Sequence, residues 1–503
     1  MTMTDWRQIL LRRTSMLILL VAGLLWIPEV HAQIGIRKDA VVPEAPDSCD
    51  VEYYGKKNFW RPTAEVLGLN AFVWAYDRVI LKTPGSKVTF SSMGRNLTSG
   101  FKWDSDMLGT NAFLHPYHGG LYFNAARSNG YNFWQSELFA AAGSLTWELF
   151  GECEYPSIND FICTPIGGAV IGEVAFRASD AVLDDRSTGW ERFGREAAGF
   201  LISPMRGINR IVTGQAWKVR PTTGNIFGTP PFAFRLSLGP EMLVYQGDFE
   251  RNIVGAVMQL DLEYGWRFQP TLKPYDYFTV RGEMRDIKSQ PILSRLSIKG
   301  RLLGRNVYEG THSSASVGFY QHYDYFDSDS IDAIGKVPYK LGIPASVGIG
   351  GMFQHKRDST SSIDCHLHAN LVILGGILSD HYHTNKRNYN WASGMSLKAG
   401  INWVFNRGHT SLSLGSEFFN LYTWKGYAED TDLAAVDYRT LNVMGDKSHS
   451  YFNVSELRLD TRIWHNIYCS VCFENYARYT KYRDFPNVHS STLSLRAMFS
   501  YKF

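Results

Sequence analysis

An excess of charge of either sign is missing from this chain. Its 51 Lys and Arg nearly balance 48 Asp and Glu, for a net charge of +3. That balance excludes the basic footprint of a nucleic-acid-binding protein. Also missing, after Ala32, is a long apolar run without charges, so no ordinary transmembrane helix is expected there. No Gly-x-Ser-x-Gly elbow, His-Glu-x-x-His pair or phosphate loop occurs, which removes the commonest hydrolase and nucleotide signatures. Cysteines are few, six in all. None follows the N-terminal apolar run at lipoprotein spacing, so Cys49 is not expected to carry lipid. In an exported protein Cys153 and Cys163, which bracket a turn around Pro156, are the expected disulfide pair. Cys469 and Cys472 are an odd number apart and should point to opposite faces of a strand.

The chain does carry an N-terminal address. Arg7, Arg12 and Arg13 precede the apolar run Met16 to Ile27, Pro28 breaks it, and Val30-His31-Ala32 has the small-residue pattern of a cleavage site. A secretory signal peptide removed after Ala32 is expected. At the other end Leu493, Leu495, Ala497, Phe499, Tyr501 and Phe503 alternate with Thr492, Ser494, Arg496, Met498, Ser500 and Lys502. A period of two with one apolar and one polar face is a strand between two solvents. A terminal strand ending on an aromatic resembles the signal read by outer-membrane barrel-assembly machinery. The same alternation recurs from about Phe234 onward, roughly a dozen times, with apolar faces rich in aromatics and polar faces mixing both charges. The mixed-charge faces should line a lumen. The acidic, aromatic stretch Tyr320 to Asp332 reads as an extended surface loop.

Residues 61 to 225 do not alternate. Ala64 to Leu81, Phe133 to Phe150, Gly167 to Ala181 and Trp190 to Ile202 have helical spacing of apolar residues. The expected class is therefore an α+β membrane protein. It comprises a signal peptide (1–32), a linker (33–60), a helical motif domain (61–225) and an antiparallel transmembrane β-barrel of about twelve strands (230–503). Within the helical part Ser136, Ser144, Glu148 and Glu152 recur at multiples of four on one face. Asp160, Thr164, Gly168 and Gly172 form a stripe whose small residues invite close helix packing, expected against the Ser144 and Glu148 stripe. His115, His118 and Tyr122 share a further face, with Asn111 before and Arg127 after.

These motifs carry a resemblance. Trp103, Asp106, Asn111, His115-Pro116-Tyr117-His118-Gly119 and Ala126-Arg127-Ser128-Asn129-Gly130 belong to the pattern. So do Gly143-Ser144, Trp147-Glu148, Gly151-Glu152, Pro156-Ser157-Ile158-Asn159-Asp160, Thr164, Gly167-Gly168, Gly172-Glu173 and Arg177. From Trp103 to Asp180 the block resembles the family catalogued as domain of unknown function 3943. The resemblance implies an outer-membrane protein of a Gram-negative cell envelope and supplies no activity.

Three readings stay open. Polar groups in a lipid-embedded bundle can simply join helices. Alternatively they form a catalytic site, with His115 as general base, Ser144 as nucleophile or positioner, and Glu148 or Asp160 as acid or orienter. Asp106, Asn111, His118, Tyr122, Arg127, Glu152, Asn159, Glu173 and Arg177 would then bind or position. The substrate would be an outer-membrane lipid, bound or hydrolysed, and a divalent metal is a candidate cofactor for the paired carboxylates. The third reading is a passive or gated channel with the helices as its plug. On the barrel, His366 and His368 share a polar face and supply two ligands of a zinc or copper site, or else line the lumen.

Overall fold

The structure is a computed structural model that describes residues 57–331 and 335–503. The signal-peptide and linker segments expected from the sequence lie outside the described residues, apart from the last few of the linker. Among the described residues twelve strands follow the helices: β1 (Phe232–Tyr245), β2 (Asp248–Gly265), β3 (Tyr277–Asp286), β4 (Leu293–Glu309), β5 (Ser313–Asp327), β6 (Lys340–Asp358), β7 (Ser361–Leu378), β8 (Tyr389–Phe405), β9 (Thr410–Thr423), β10 (Ser448–Trp464), β11 (Ile467–Tyr482) and β12 (Val488–Lys502). Each pairs antiparallel with its neighbours in sequence, and β1 closes on β12. The closing seam ends on Phe503, which exchanges backbone hydrogen bonds with Phe234 and stacks on its ring at 5.1 Å. Closure gives every one of these strands two partners, as lipid requires.

The alternation of the sequence sorts cleanly into two surfaces. On β12 Ser494, Arg496, Met498 and Ser500 are buried, whereas Phe499 and Tyr501 are exposed. Leu238, Val254, Ile349, Leu371, Ile401 and Leu414 are exposed on other strands. Trp266, Tyr308, Trp403, Trp464 and Tyr501 lie exposed near one rim, where turns such as 359–360 and 465–466 are short. An apolar exterior with an aromatic girdle is the surface of a barrel that spans lipid. The opposite rim carries the long connections 328–339, 379–388 and 424–447.

The inward faces meet across the lumen. Arg496 binds Glu241 at 2.9 Å, Glu283 at 3.0 Å and Glu474 at 2.9 Å. Arg285 also binds Glu241, at 2.8 Å, and Arg295 joins Glu474 to Glu417 at 2.6 and 3.1 Å. Lys398 on β8 reaches Asp324 on β5 at 2.6 Å. Toward the long-loop rim Phe326, Phe419, Phe452, Tyr339 and Tyr476 form an apolar cluster inside the barrel. The lumen is filled by salt bridges and aromatic rings. His366 and His368 line it, with His368 and His322 in edge contact at 5.1 Å. Among the described residues no group of three His, Cys, Asp or Glu side chains is arranged to hold a metal.

Among the described residues seven α-helices precede the barrel: α1 (Trp60–Tyr76), α2 (Phe90–Thr98), α3 (His115–Ser128), α4 (Phe133–Thr146), α5 (Ile158–Val182), α6 (Gly189–Ile202) and α7 (Pro204–Val212). Thr89 with Ser92 and Asn132 with Gln135 form capping boxes that start α2 and α4. Pro116 occupies the first turn of α3, where its missing N–H costs nothing. The described residues up to Val174 pack with Pro230–Phe503 as one compact unit, and Ala175–Thr229 form a second. The division falls inside α5.

The structure corrects several expectations. Helix α5 has the length and apolar composition to cross a membrane, despite its scattered charges. The segment 108–114 and the first part of α5 do not form a plug, because they pack on the outside of the barrel. On β5 the residues that cross the lumen are His322, Asp324 and Phe326. The alternate positions Gln321, Tyr323 and Tyr325 therefore face outward, and these meet the helices. Gln321 donates to the Ile166 carbonyl at 2.9 Å, Tyr323 donates to the Ala112 carbonyl, and Tyr325 packs on Phe113 at 6.0 Å. Tyr320 to Asp327 is thus a strand buried on both faces rather than a surface loop. Cys153 and Cys163 are free thiols. Cys163 is sealed inside the packing of α5, while Cys153 lies on a turn against Pro84. Cys469 is exposed and Cys472 buried, on opposite faces as expected.

Removing Arg496 leaves Glu241, Glu283 and Glu474 without their shared counter-ion. The Arg496→Ala variant should lose about 3–5 kcal/mol of stability, read as a lowered urea midpoint for the heat-modifiable band shift of the barrel. Replacing the surface residue Arg483 by Ala should leave that midpoint unchanged.

Candidate functional site

Three segments bring the unusual polar residues together at the long-loop side of the helical block. Residues 147–151, the end of the α4 segment, form a wide π-type turn that carries Glu148. Residues 110–114 form another, just before His115, and carry Asn111. Such turns swing a side chain out of the regular helical register and recur at functional sites. The third segment is Ser157 to Asp160, the start of α5, where the Ser157 hydroxyl accepts the Asp160 N–H at 3.1 Å.

Glu148 is fully buried. One of its carboxylate oxygens accepts the Ser157 N–H at 2.7 Å, and the other, Oε1, has no hydrogen-bond partner among the described residues. The Asp160 carboxylate lies 3.6 Å from His115 Nε2 and accepts from Asn159 at 2.9 Å. Asn159 also donates to Asp104 at 3.0 Å, and Asn111 donates to the same Asp104 oxygen at 2.7 Å. Burial, then the neighbouring Asp160 and Asp106, pushes the Asp104 carboxyl well above the usual carboxylate range. Asp104 is held to the barrel as well: its carbonyl accepts from Arg387 at 2.9 Å, and Asn111 reaches the Tyr389 hydroxyl at 2.7 Å.

The remaining expected residues fall into place around this cluster or away from it. The Ser144 hydroxyl donates to the Asp160 carbonyl at 3.4 Å, and no hydrogen bond joins it to a base among the described residues. His118 is half-buried against Tyr122 and Trp147, with ring centroids at 4.4 and 5.6 Å, and its Nε2 is unpartnered among the described residues. Tyr122 donates to Asn70. The Glu152 carbonyl accepts from Asn96 at 3.3 Å, and Asp106 faces Lys386 at 3.7 Å near the surface. Arg127 clasps Glu173 in two parallel bonds of 2.7 and 2.9 Å, toward the other end of the helices from His115. Arg177 lies over the Phe227 ring at 3.9 Å within the second unit.

The small-residue stripe packs closely, as its spacing predicts, but against a different partner. A Cβ on Gly168 would sit 2.5 Å from Gly119, and one on Gly119 would sit 1.8 Å from the Thr164 carbonyl. Helix α5 therefore lies on Gly119 and Gly120 of α3, which draws His115 to Asp160. Its first turn and the preceding Ser157 meet Ser144 and Glu148.

Sequence reasoning missed Asp104, Arg387 and Tyr389. Asp104 stands between Trp103 and Asp106, both part of the recognised pattern, so its neighbourhood was a usable signal. Arg387 and Tyr389 carried none, since they come from a barrel loop and strand far along the chain.

The block that builds this cluster has a counterpart among known families. Residues 100–205 match the family model described as "Domain of unknown function (DUF3943)". The motif pattern read from Trp103 onward is the pattern of that domain. No curated protein matches the chain in sequence. Among solved structures the barrel part is similar to a KdgM porin at 7% identity and TM-score 0.22, covering 53% of this chain and 99% of that one. It is also similar to the outer-membrane channel DcaP of Acinetobacter baumannii at 9% identity and TM-score 0.22, covering 54% and 97%. The Pseudomonas putida toluene transporter TodX follows at 9% identity and TM-score 0.21, covering 54% and 89%. Scores of this size transfer no solute or activity.

The Gly119–Gly168 contact is the hinge of the site. Gly168→Val should part α3 from α5 and open residues 100–174 to limited proteolysis, while the barrel keeps its heat-modifiable mobility. Retention of protease resistance would show that the contact is dispensable.

Proposed function

We propose that the protein is an outer-membrane barrel that carries on its lipid-facing wall a site for binding and hydrolysing an envelope lipid. The observation that carries this reading is the Glu148 carboxylate. It is wholly buried, has one oxygen without a partner among the described residues, and sits in the same cluster as the His115–Asp160 pair. Ionisable groups inside a membrane-embedded bundle are costly and are retained for function by default. The surroundings fit a lipid substrate: Trp134, Leu138, Leu145, Phe150 and Phe161 are exposed on the same helical block. Longer loops mark the cell-surface rim of such barrels. The cluster, tied to residues 379–388 through Arg387, would then stand at the outer leaflet. The terminal strand would be read by the barrel-assembly machinery during insertion.

For ester hydrolysis the roles follow from position. His115, oriented by Asp160, takes a proton from water as the water oxygen attacks the ester carbonyl. Glu148, whose carboxyl burial pushes well above the usual range, hands a proton to the departing alcohol oxygen. Asn111 and Asn159 hold Asp104, which fixes the loop closing the cluster. Ser144, spent on a backbone carbonyl, positions α5 rather than attacking.

His115→Ala and Glu148→Gln should each abolish the change in envelope lipid profile produced by expressing the wild-type protein, with barrel abundance unaltered. Loss of the folded barrel in both variants would make the cluster structural instead. A channel would need a lumen cleared of the Arg295, Arg496 and Glu474 bridges, so the purified protein should be silent in planar bilayers. Steady single-channel conductance would overturn the barrel's role as a scaffold.

A further inference from the structure

The second compact unit, Ala175–Thr229, is built inside out. On α6 and α7 and the turn that follows, the large apolar side chains face outward: Trp190 is 79% exposed, Phe193 62%, Leu201 79%, Val212 74% and Trp217 71%. The charged side chains face inward. Arg206 binds Asp180 at 2.5 Å. Arg210 binds Asp185 at 2.6 Å and Glu196 at 2.8 Å. Arg192 binds the same two carboxylates at 3.0 and 2.9 Å. Arg192, Arg206 and Arg210 are all buried. A helix pair assembled in water does the reverse, because apolar burial drives its packing.

We propose that α6 and α7 lie flat in a phospholipid interface, with Trp190, Phe193, Leu201 and Val212 inserted among the acyl chains and the arginine–carboxylate network turned away from them. Three observations select lipid as the occupant. Helix α5 has the composition to cross a membrane, and its 25 residues span about 37 Å at 1.5 Å each, enough for a hydrocarbon core of about 30 Å. It runs into α6 through residues 183–188 alone. Trp190 and Trp217 stand at the two ends of the apolar surface beside exposed Arg186 and Lys218, the residue types that anchor helices at the headgroup level. The internal pairing of the arginines also removes the like-charge surface that a soluble acidic partner would need.

This inference uses residues outside the Glu148 cluster, so its failure leaves the lipid-hydrolysis reading untouched. The test uses the full chain in vesicles of phosphatidylethanolamine and phosphatidylglycerol with dibrominated acyl chains. The tryptophan emission present in the wild type and absent in a Trp190→Phe/Trp217→Phe double variant belongs to these two side chains. It should be quenched at least twofold more by brominated lipid than by aqueous iodide. Stronger quenching by iodide would show a water-facing surface and overturn the proposal. Protection from both quenchers would show that protein covers it, a second copy of the chain or another partner, and would overturn it equally.

Discussion

Arg496 holds Glu241, Glu283 and Glu474 together in the middle of the barrel, and Arg295 extends the network to Glu417. These charges are almost fully buried, and each needs the others because an isolated ion there would be far too costly. The network joins β1, β3, β4, β9, β11 and β12, along the wall where Arg496 meets Glu241 and Glu474 on neighbouring strands and across the lumen where Arg295 meets Glu474 and Glu417. These paired side chains occupy the interior of the barrel. The helices must find their partner elsewhere.

They find it on the outer wall, and the wall is altered to receive them. Away from the helices the outward positions are mostly Leu, Ile, Val and aromatic residues. Where helices dock, they become Gln321, Tyr323, Tyr325, Gly342, Tyr389 and Trp391. Tyrosine and glutamine supply hydrogen bonds to helix carbonyls that lipid could not answer. Gly342 supplies closeness: a Cβ there would come within 2.3 Å of Ala112. The barrel thus acts as a rigid flank for α3 and α5. That flank lies beside the segments that bring His115 to Asp160.

Much of this was legible in one dimension. Strand number, the polarity of each face, the helical segments and the opposite orientation of Cys469 and Cys472 follow from periodicity, which sequence displays directly. The small-residue stripe at Thr164, Gly168 and Gly172 announced close packing. It could not announce that Gly119 was the partner, because small residues mark an approach without naming who approaches. Tyr320 to Asp327 was misread for a related reason. A strand covered on both faces loses its polar and apolar alternation, and its acidic and aromatic residues then look like a loop.

By itself the sequence determined an alternating, charge-lined barrel, a helical half, and a set of polar motifs gathered between Trp103 and Arg177. Local pattern suffices for these because a strand or helix records its two environments in its own residues. Tertiary structure alone decided that charged and aromatic side chains meet inside the lumen and that the helical residues up to Val174 pack on the outer wall. It also decided that Asp104 enters the cluster through Asn111, Asn159 and the distant Arg387. Those outcomes depend on pairs hundreds of residues apart, and no stretch of chain carries the identity of its partner across a fold.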